Sequence, residues 1–154
     1  GNPDSDLVFV GEAPGADEDR LGEPFVGRSG KLLTDIITKG MNFQREDVYI
    51  CNILRCRPPN NRPPSPIEAA NCNKFLEETL NIINPKFICC LGSIATKYLL
   101  QSDKSIGTMR GKIHQYKNAK VICTYHPSYL LRVPDAKKDT WEDIKLLLKI
   151  MKEE

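Results

Sequence analysis

Four short stretches of the chain are apolar almost without a break: LVFVGEA (7–13), DVYICNI (47–53), KFICCLG (86–92) and KVICTYH (120–126). A strand with one wet face alternates; an unbroken run suits a strand covered on both faces, as in a parallel sheet. Between these runs the period lengthens. SGKLLTDIITKG sets Leu32, Leu33, Ile36 and Ile37 on one helical face and stops at Gly40. SPIEAANCNKFLEETLNII opens on Ser65, Pro66 and Glu68, which supply an N-cap, a first-turn proline and a capping-box acid. SIATKYLLQ follows the third run, and TWEDIKLLLKIMKEE closes the chain with Trp141, Ile144, Leu148 and Met151 at helical spacing. Strands alternating with helices predict an α/β fold built on a parallel sheet.

Composition changes this picture little. A chain of 154 residues, 40% apolar and 27% charged, is one ordinary globular domain over residues 1–154. A net charge of +2 identifies no partner, so the placement of charge matters more than its sum. No apolar run approaches the roughly 20 residues of a membrane span, and no secretory signal opens the chain. It starts almost directly in a strand, so an N-terminal segment is expected to precede it. Of six cysteines, none form a C-x-x-C pair. Cys89, Cys90 and Cys123 lie inside apolar runs and read as buried small hydrophobes.

The segment RCRPPNNRPPSP (55–66) carries five prolines and three arginines between the second strand and its following helix. That helix is needed to cover the sheet, so the segment is not a domain linker. Its prolines restrict the backbone and favour a rigid loop that presents side chains. In open α/β sheets, ligands bind outside the carboxyl ends of the strands. Those ends read GEAPGADED, NILRCRPP, LGS and HPSYLLR, so polar, glycine-rich and proline-rich chemistry collects on one edge. The glycine turn after the first strand lacks G-x-G-x-x-G and the GK[ST] of a P-loop, although such a turn can cradle phosphate.

GEAPGADEDRLGEPFVGRSG, CNILRCRPPNNRPP, LGSIATKYLL and HPSYLLR occur in this order, and together the chain resembles the family 4, iron–sulfur uracil-DNA glycosylases of bacteria and archaea. The resemblance runs from GNPDSDLVFVGEAPG to the last helix. It implies a three-layer α/β/α fold around four parallel strands. It also implies a monofunctional, cytoplasmic and monomeric repair enzyme that flips uracil out of single- or double-stranded DNA and hydrolyses its N-glycosidic bond, leaving an abasic site.

Residue roles follow from the resemblance. Phe25 matches the aromatic that stacks on uracil. Asn52 matches the asparagine that reads its edge, one amide pairing N3–H and O4. His126 matches the histidine that donates to O2 as the uracil anion forms. Backbone N–H groups after Gly11, around Glu12 and Ala13, point to the same oxygen. Glu12 is expected near the attacking water, and Glu18 near uracil C5, where it would exclude a thymine methyl. Against the GQDP pattern of other uracil glycosylases, Ala13 stands where an aspartate base would. Leu130, Leu131 and Arg132 match the loop that fills the gap left by the flipped base. Arg55, Arg57 and Arg62 are expected near the phosphate backbone.

The family's 4Fe–4S cluster uses four cysteines. Cys56 and Cys72, sixteen residues apart, match two of them. The other two, a C-x-x-C pair, would precede residue 1. Either that segment lies outside this chain or the cluster is lost; Cys72 also fits the apolar helix face of Ala69, Leu76 and Leu80. Two other functions stay open. One is a uracil-DNA binder that traps DNA covalently through a histidine after the second strand, where this loop has none. The other is a nucleotide-binding domain that uses GEAPG for phosphate.

Overall fold

The computed structural model describes all 154 residues. Five strands, β1 (Leu7–Gly11), β2 (Tyr49–Asn52), β3 (Phe87–Leu91), β4 (Ile113–Tyr116) and β5 (Ala119–Thr124), form one sheet in the order β2-β1-β3-β5-β4. Four of them are parallel, as their apolar runs predict. The expected four-stranded sheet is corrected by β4, an antiparallel edge strand paired with β5 across a two-residue turn that starts at Lys117 (φ 50°). Its alternately exposed sequence IHQY lacks the apolar run that marks the other four. His114, on this strand, bonds the Met109 carbonyl.

Alternate residues of each strand enter different cores, because successive side chains leave opposite faces. Leu7 and Phe9 join Leu33, Ile37, Ile144 and Leu147 on one side. Val8 and Val10 join Leu76, Leu80, Ala95 and Leu99 on the other. Helices α2 (Arg28–Asp35) and α7 (Lys137–Lys152) cover the first face; α3 (Pro66–Ile83) and α4 (Ser93–Leu100) cover the second. Burial on both faces is the reason the central strands carry no polar alternation. Short helices α1 (Ala16–Leu21), α5 (Ile106–Met109) and α6 (Pro127–Arg132) complete the chain.

Helix α3 starts where its capping box predicts: Ser65 Oγ accepts from the Glu68 N–H (3.2 Å), and Glu68 accepts from the Ser65 N–H (2.9 Å). Helix α2 runs into a π turn, Ile36–Gly40, before the chain leaves it. The buried face of α7 is rotated from the expected one. Thr140, Asp143, Ile144, Leu147 and Ile150 are buried, whereas Trp141 is 43% exposed and lies over Gly40. A buried aspartate is invisible to an apolar pattern. It is tolerated because Arg110 bonds it at 3.0 and 3.2 Å and Thr124 Oγ1 at 2.7 Å.

Candidate active site

The carboxyl ends of β1, β2 and β5 open into a cleft of about 220 Å³. Glu12 and Ala13 reach it from the end of β1, Asn52 from the end of β2 and His126 from the end of β5. Glu18 comes from α1, and Phe25 from the loop before α2. The sequence assigns these six residues to one site, and the fold brings them together.

Asn52 is 7% exposed, and its Oδ1 has no hydrogen-bond partner. A buried amide oxygen left unpaired costs about 1–3 kcal/mol, so the position calls for a ligand that donates. The carboxamide and the Phe25 ring close on Gly11. A Cβ there would sit 2.6 Å from both Asn52 Oδ1 and Phe25 Cζ, so only glycine lets the plate and the amide share this corner. The N–H groups of Glu12 and Ala13, just beyond the last strand residue, have no acceptor within the chain. Their carbonyl neighbours on β1 are taken: Ile53 N–H donates to Gly11 O and Leu54 N–H to Glu12 O.

His126 is the N-cap of α6. Its Nδ1 accepts from the Ser128 N–H (3.1 Å) and lies 2.8 Å from Ser128 Oγ. An Nδ1 that accepts leaves the proton of a neutral ring on Nε2. Burial, and then the Arg132 cation, hold the imidazole pKa down to about 4, against a smaller opposing pull from Glu18. The ring is therefore neutral near pH 7. Its centroid is 5.6 Å from that of Phe25, at 32°.

Phe25 has a left-handed backbone (φ 53°), uncommon for a bulky residue. The loop is clamped from both sides. Arg45 donates to Phe25 O (2.6 Å), to Pro24 O and to Thr34 Oγ1 (2.9 Å). Glu18 accepts from the N–H groups of Val26 and Gly27, both at 2.8 Å, and of Gly15 at 3.1 Å. Burial raises the Glu18 pKa, but these N–H donors together outweigh it and leave the carboxyl below its ordinary range. Gly30 packs directly on the Phe25 backbone, where a Cβ would collide with its carbonyl. Arg45 is a site residue that sequence reasoning missed. It lies 20 residues from Phe25, in a polar stretch that reads as a solvated surface.

The proline loop is braced rather than free. Pro59–Asn61 forms a 3₁₀ turn, with Asn60 and Asn61 both left-handed. Arg55 bonds Thr79 Oγ1 (2.7 Å) and Phe75 O (3.2 Å) on α3, Arg57 bonds Asn61 Oδ1 (2.7 Å), and Arg62 makes a two-bond pair with Glu68 (2.5 and 2.9 Å). The Arg62 hydrogen bond, foremost, holds the Glu68 pKa down to about 2. All three arginines stay exposed, and Arg62 also lines the cleft. On α6 the expected wedge narrows. Leu130 is 1% exposed and packs beside Leu32, Ile36 and Ile144, so it is a core residue. Leu131 is half-buried and Arg132 exposed.

Cys51, Cys89, Cys90 and Cys123 are buried; Cys56 is exposed and Cys72 partly so. No group of three or more histidine, cysteine or acidic side chains is arranged to hold a metal ion. A 4Fe–4S cluster takes four thiolates, so the two candidate thiols do not by themselves fit one.

A family model described as the uracil DNA glycosylase superfamily matches residues 1–145. A Type-4 uracil-DNA glycosylase of Thermotoga maritima is 47% identical, covering 100% of this chain and 82% of that protein. A Type-4 enzyme of Archaeoglobus fulgidus is 43% identical over 94% of this chain and 76% of its own. A Type-5 uracil-DNA glycosylase of Pyrobaculum aerophilum is 28% identical over 84% of this chain and 64% of its own.

Proposed function

The chain belongs to the uracil-DNA glycosylase superfamily, and from that premise we propose how its residues excise uracil from DNA. The observation that carries the reading is the unpaired, buried Asn52 carboxamide beside the Phe25 ring. A flipped uracil offers a flat face to the ring, an N3–H donor to Oδ1 and an O4 acceptor to Nδ2. Cytosine presents an acceptor and an amino group at those two positions and leaves both amide groups mismatched.

As the bond between N1 of the base and C1′ of the sugar breaks, its electron pair goes to uracil and charge collects on O2. The His126 Nε2–H and the free N–H groups of Glu12 and Ala13 are the donors for that charge. Fixed donors in a dry cleft need no reorganisation, which makes this the largest rate term. Water forms the new bond to C1′, and its proton passes to Glu12 or to solvent. Burial raises the Glu12 pKa, which makes its carboxylate a stronger proton acceptor than an exposed one. Glu18 holds the Phe25 loop through its carboxylate oxygens and also lines the cleft, where it is proposed to stand near uracil C5 and exclude a thymine methyl. The exposed Arg57 and Arg62 and the half-buried Leu131 and Arg132 suit contact with DNA, and Arg62 among them lines the cleft. One chain carries every site residue, in keeping with a monomer acting on DNA in the cytoplasm of a bacterial or archaeal cell. No helix is long and apolar enough to cross a membrane. Cys56 and Cys72 are proposed as two ligands of a family-type cluster whose other ligands come from outside these residues. No step of the reaction runs through it, and iron content of a longer chain tests it.

Incubation with a uracil-containing oligonucleotide is expected to release free uracil and leave alkali-labile sites, with no denaturation-resistant adduct on a gel. The covalent trap needs a histidine in the 55–66 loop; the chain's two are His114 and His126. A stoichiometric slow-migrating band without free uracil would favour the trap.

Besides Glu12, which stops accepting a proton once its raised pKa is crossed, the pH dependence involves His126. Its folded pKa is depressed to about 4 from an ordinary 6.5. The neutral ring, held by its Nδ1 accepting from the Ser128 N–H, should therefore persist as pH falls through 6.5 and lose that bond only near 4, where Nδ1 takes a proton. Between those values the unfolded chain binds a proton that the folded chain refuses, so stability declines as pH falls across this window. Single-turnover rates and the imidazole NMR titration check both. A rate that halves near pH 6.5 together with the ring titration would refute the assignment.

A further inference from the structure

A second cavity, of about 350 Å³, shares Glu12, Ala13, His126 and Ser128 with the uracil cleft. Nothing in the excision steps uses it. Its remaining wall is Gly92, Ser93, Ile106, Tyr125, Tyr129 and Arg132, with two aromatic rings and one cation among them. The Tyr125 and Tyr129 rings stand 4.8 Å apart at 31°. The Arg132 guanidinium lies 5.9 Å from the Tyr129 ring, and that of Arg110 lies 5.5 Å from the Tyr125 ring. Arg110 is fixed in turn by the buried Asp143 and by the Asp139 carbonyl at 3.0 Å. The four side chains form a stack rooted in the core through Asp143 and open at Arg132, which is exposed.

Such a stack has no visible duty in folding. Both tyrosines are only half-buried, and they line an open hollow rather than fill a core. Aromatic faces with neighbouring cations are how proteins take bases of unpaired strands, since every base has a π-face. The shared wall decides which base. A strand whose uracil enters the first cleft has its adjoining nucleotide beside His126 and Glu12, at the mouth of the second.

We propose that this cavity is a stacking subsite for the base next to the uracil, in a locally unpaired strand, with Tyr129 as its platform and Arg132 at its rim. The inference rests on the uracil-excision reading. It assigns a role to Tyr125 and Tyr129, which this reading leaves idle, and it makes the enzyme sensitive to whether a nucleotide flanks the uracil on that side. Stacking tolerates any base, so the subsite adds affinity without adding sequence preference.

The test uses short single-stranded oligonucleotides with uracil at one end or the other, lengthened one nucleotide at a time. In the wild type, the first added nucleotide on one side should lower KM by about tenfold, and the same addition on the other side should do much less. Tyr129→Leu should abolish that gain and Tyr129→Phe should keep it. Independently, 2-aminopurine placed next to uracil on that side should be quenched when the wild type binds. Absence of quenching in the wild type overturns the proposal even if Tyr129→Leu fails to fold. Equal flank dependence in the wild type and a folded Tyr129→Leu also overturns it. If no oligonucleotide loses uracil, the excision reading falls and this one with it. If all lose it without regard to flank, only the subsite falls.

Discussion

Asn52→Ala should cut single-turnover excision of uracil by about 10²–10³-fold, the range seen when one transition-state hydrogen-bond donor is removed, and should leave the protein no less stable. The two halves of this expectation come from one fact. The amide is buried and its oxygen is unpaired. Deleting a polar group that the fold does not satisfy removes a cost of about 1–3 kcal/mol, which offsets the side-chain packing lost. A residue kept for stability would behave the opposite way. Quench-flow on a uracil duplex, with thermal unfolding of the same sample, separates the cases. A clear drop in melting temperature with an unchanged rate would place Asn52 among the structural residues.

Replacing Arg45 with methionine is expected to lower kcat/KM by about 10²-fold although the side chain touches no substrate. A left-handed bulky residue carries about 1–3 kcal/mol of backbone strain and persists only where its surroundings impose it. Arg45 imposes it through the Pro24 and Phe25 carbonyls, while Glu18 holds the next two amides. Methionine keeps much of the apolar stem and loses the fork, so Phe25 is released to relax. A displacement of about 1 Å in a positioning element is enough for a loss of this size. A purely structural role would look the same in one mutant, so the cycle with Phe25→Ala decides. If Arg45 acts by holding the ring, Arg45→Met should add little once the ring is gone. Fully additive losses would mean that Arg45 works elsewhere.

The sequence was a better guide to strand ends than to what surrounds them. Four parallel strands were legible because burial on both faces leaves an unbroken apolar run. Strand β4 was not, because an exposed edge of four residues needs no such run. The Ser65 cap was legible because its partners are three residues apart. The hold on Phe25 was not: Arg45 and Glu18 reach it from 20 and 7 residues away, and neither spacing has a pattern. Leu130 and Leu131 are identical neighbours in sequence, and only the packing of α6 against α2 decides that the first is core. Asp143 shows the same limit in reverse, a charge that the fold buries because Arg110, 33 residues away, meets it.

The strand order β2-β1-β3-β5-β4 also governs when, during synthesis, there is anything to bind with. Strand β1 leaves the ribosome first but sits between β2 and β3, so it waits for residue 91 before both its edges are covered. Histidine 126 follows β5, whose partner on one side is β3, and α7 must then close the face beneath them. A nascent chain carries Asn52 and Phe25 long before His126, but Phe25 packs in one core with Ile122, Ile144 and Leu147, so recognition and cleavage become available together, only when the last strand and helix close over the site.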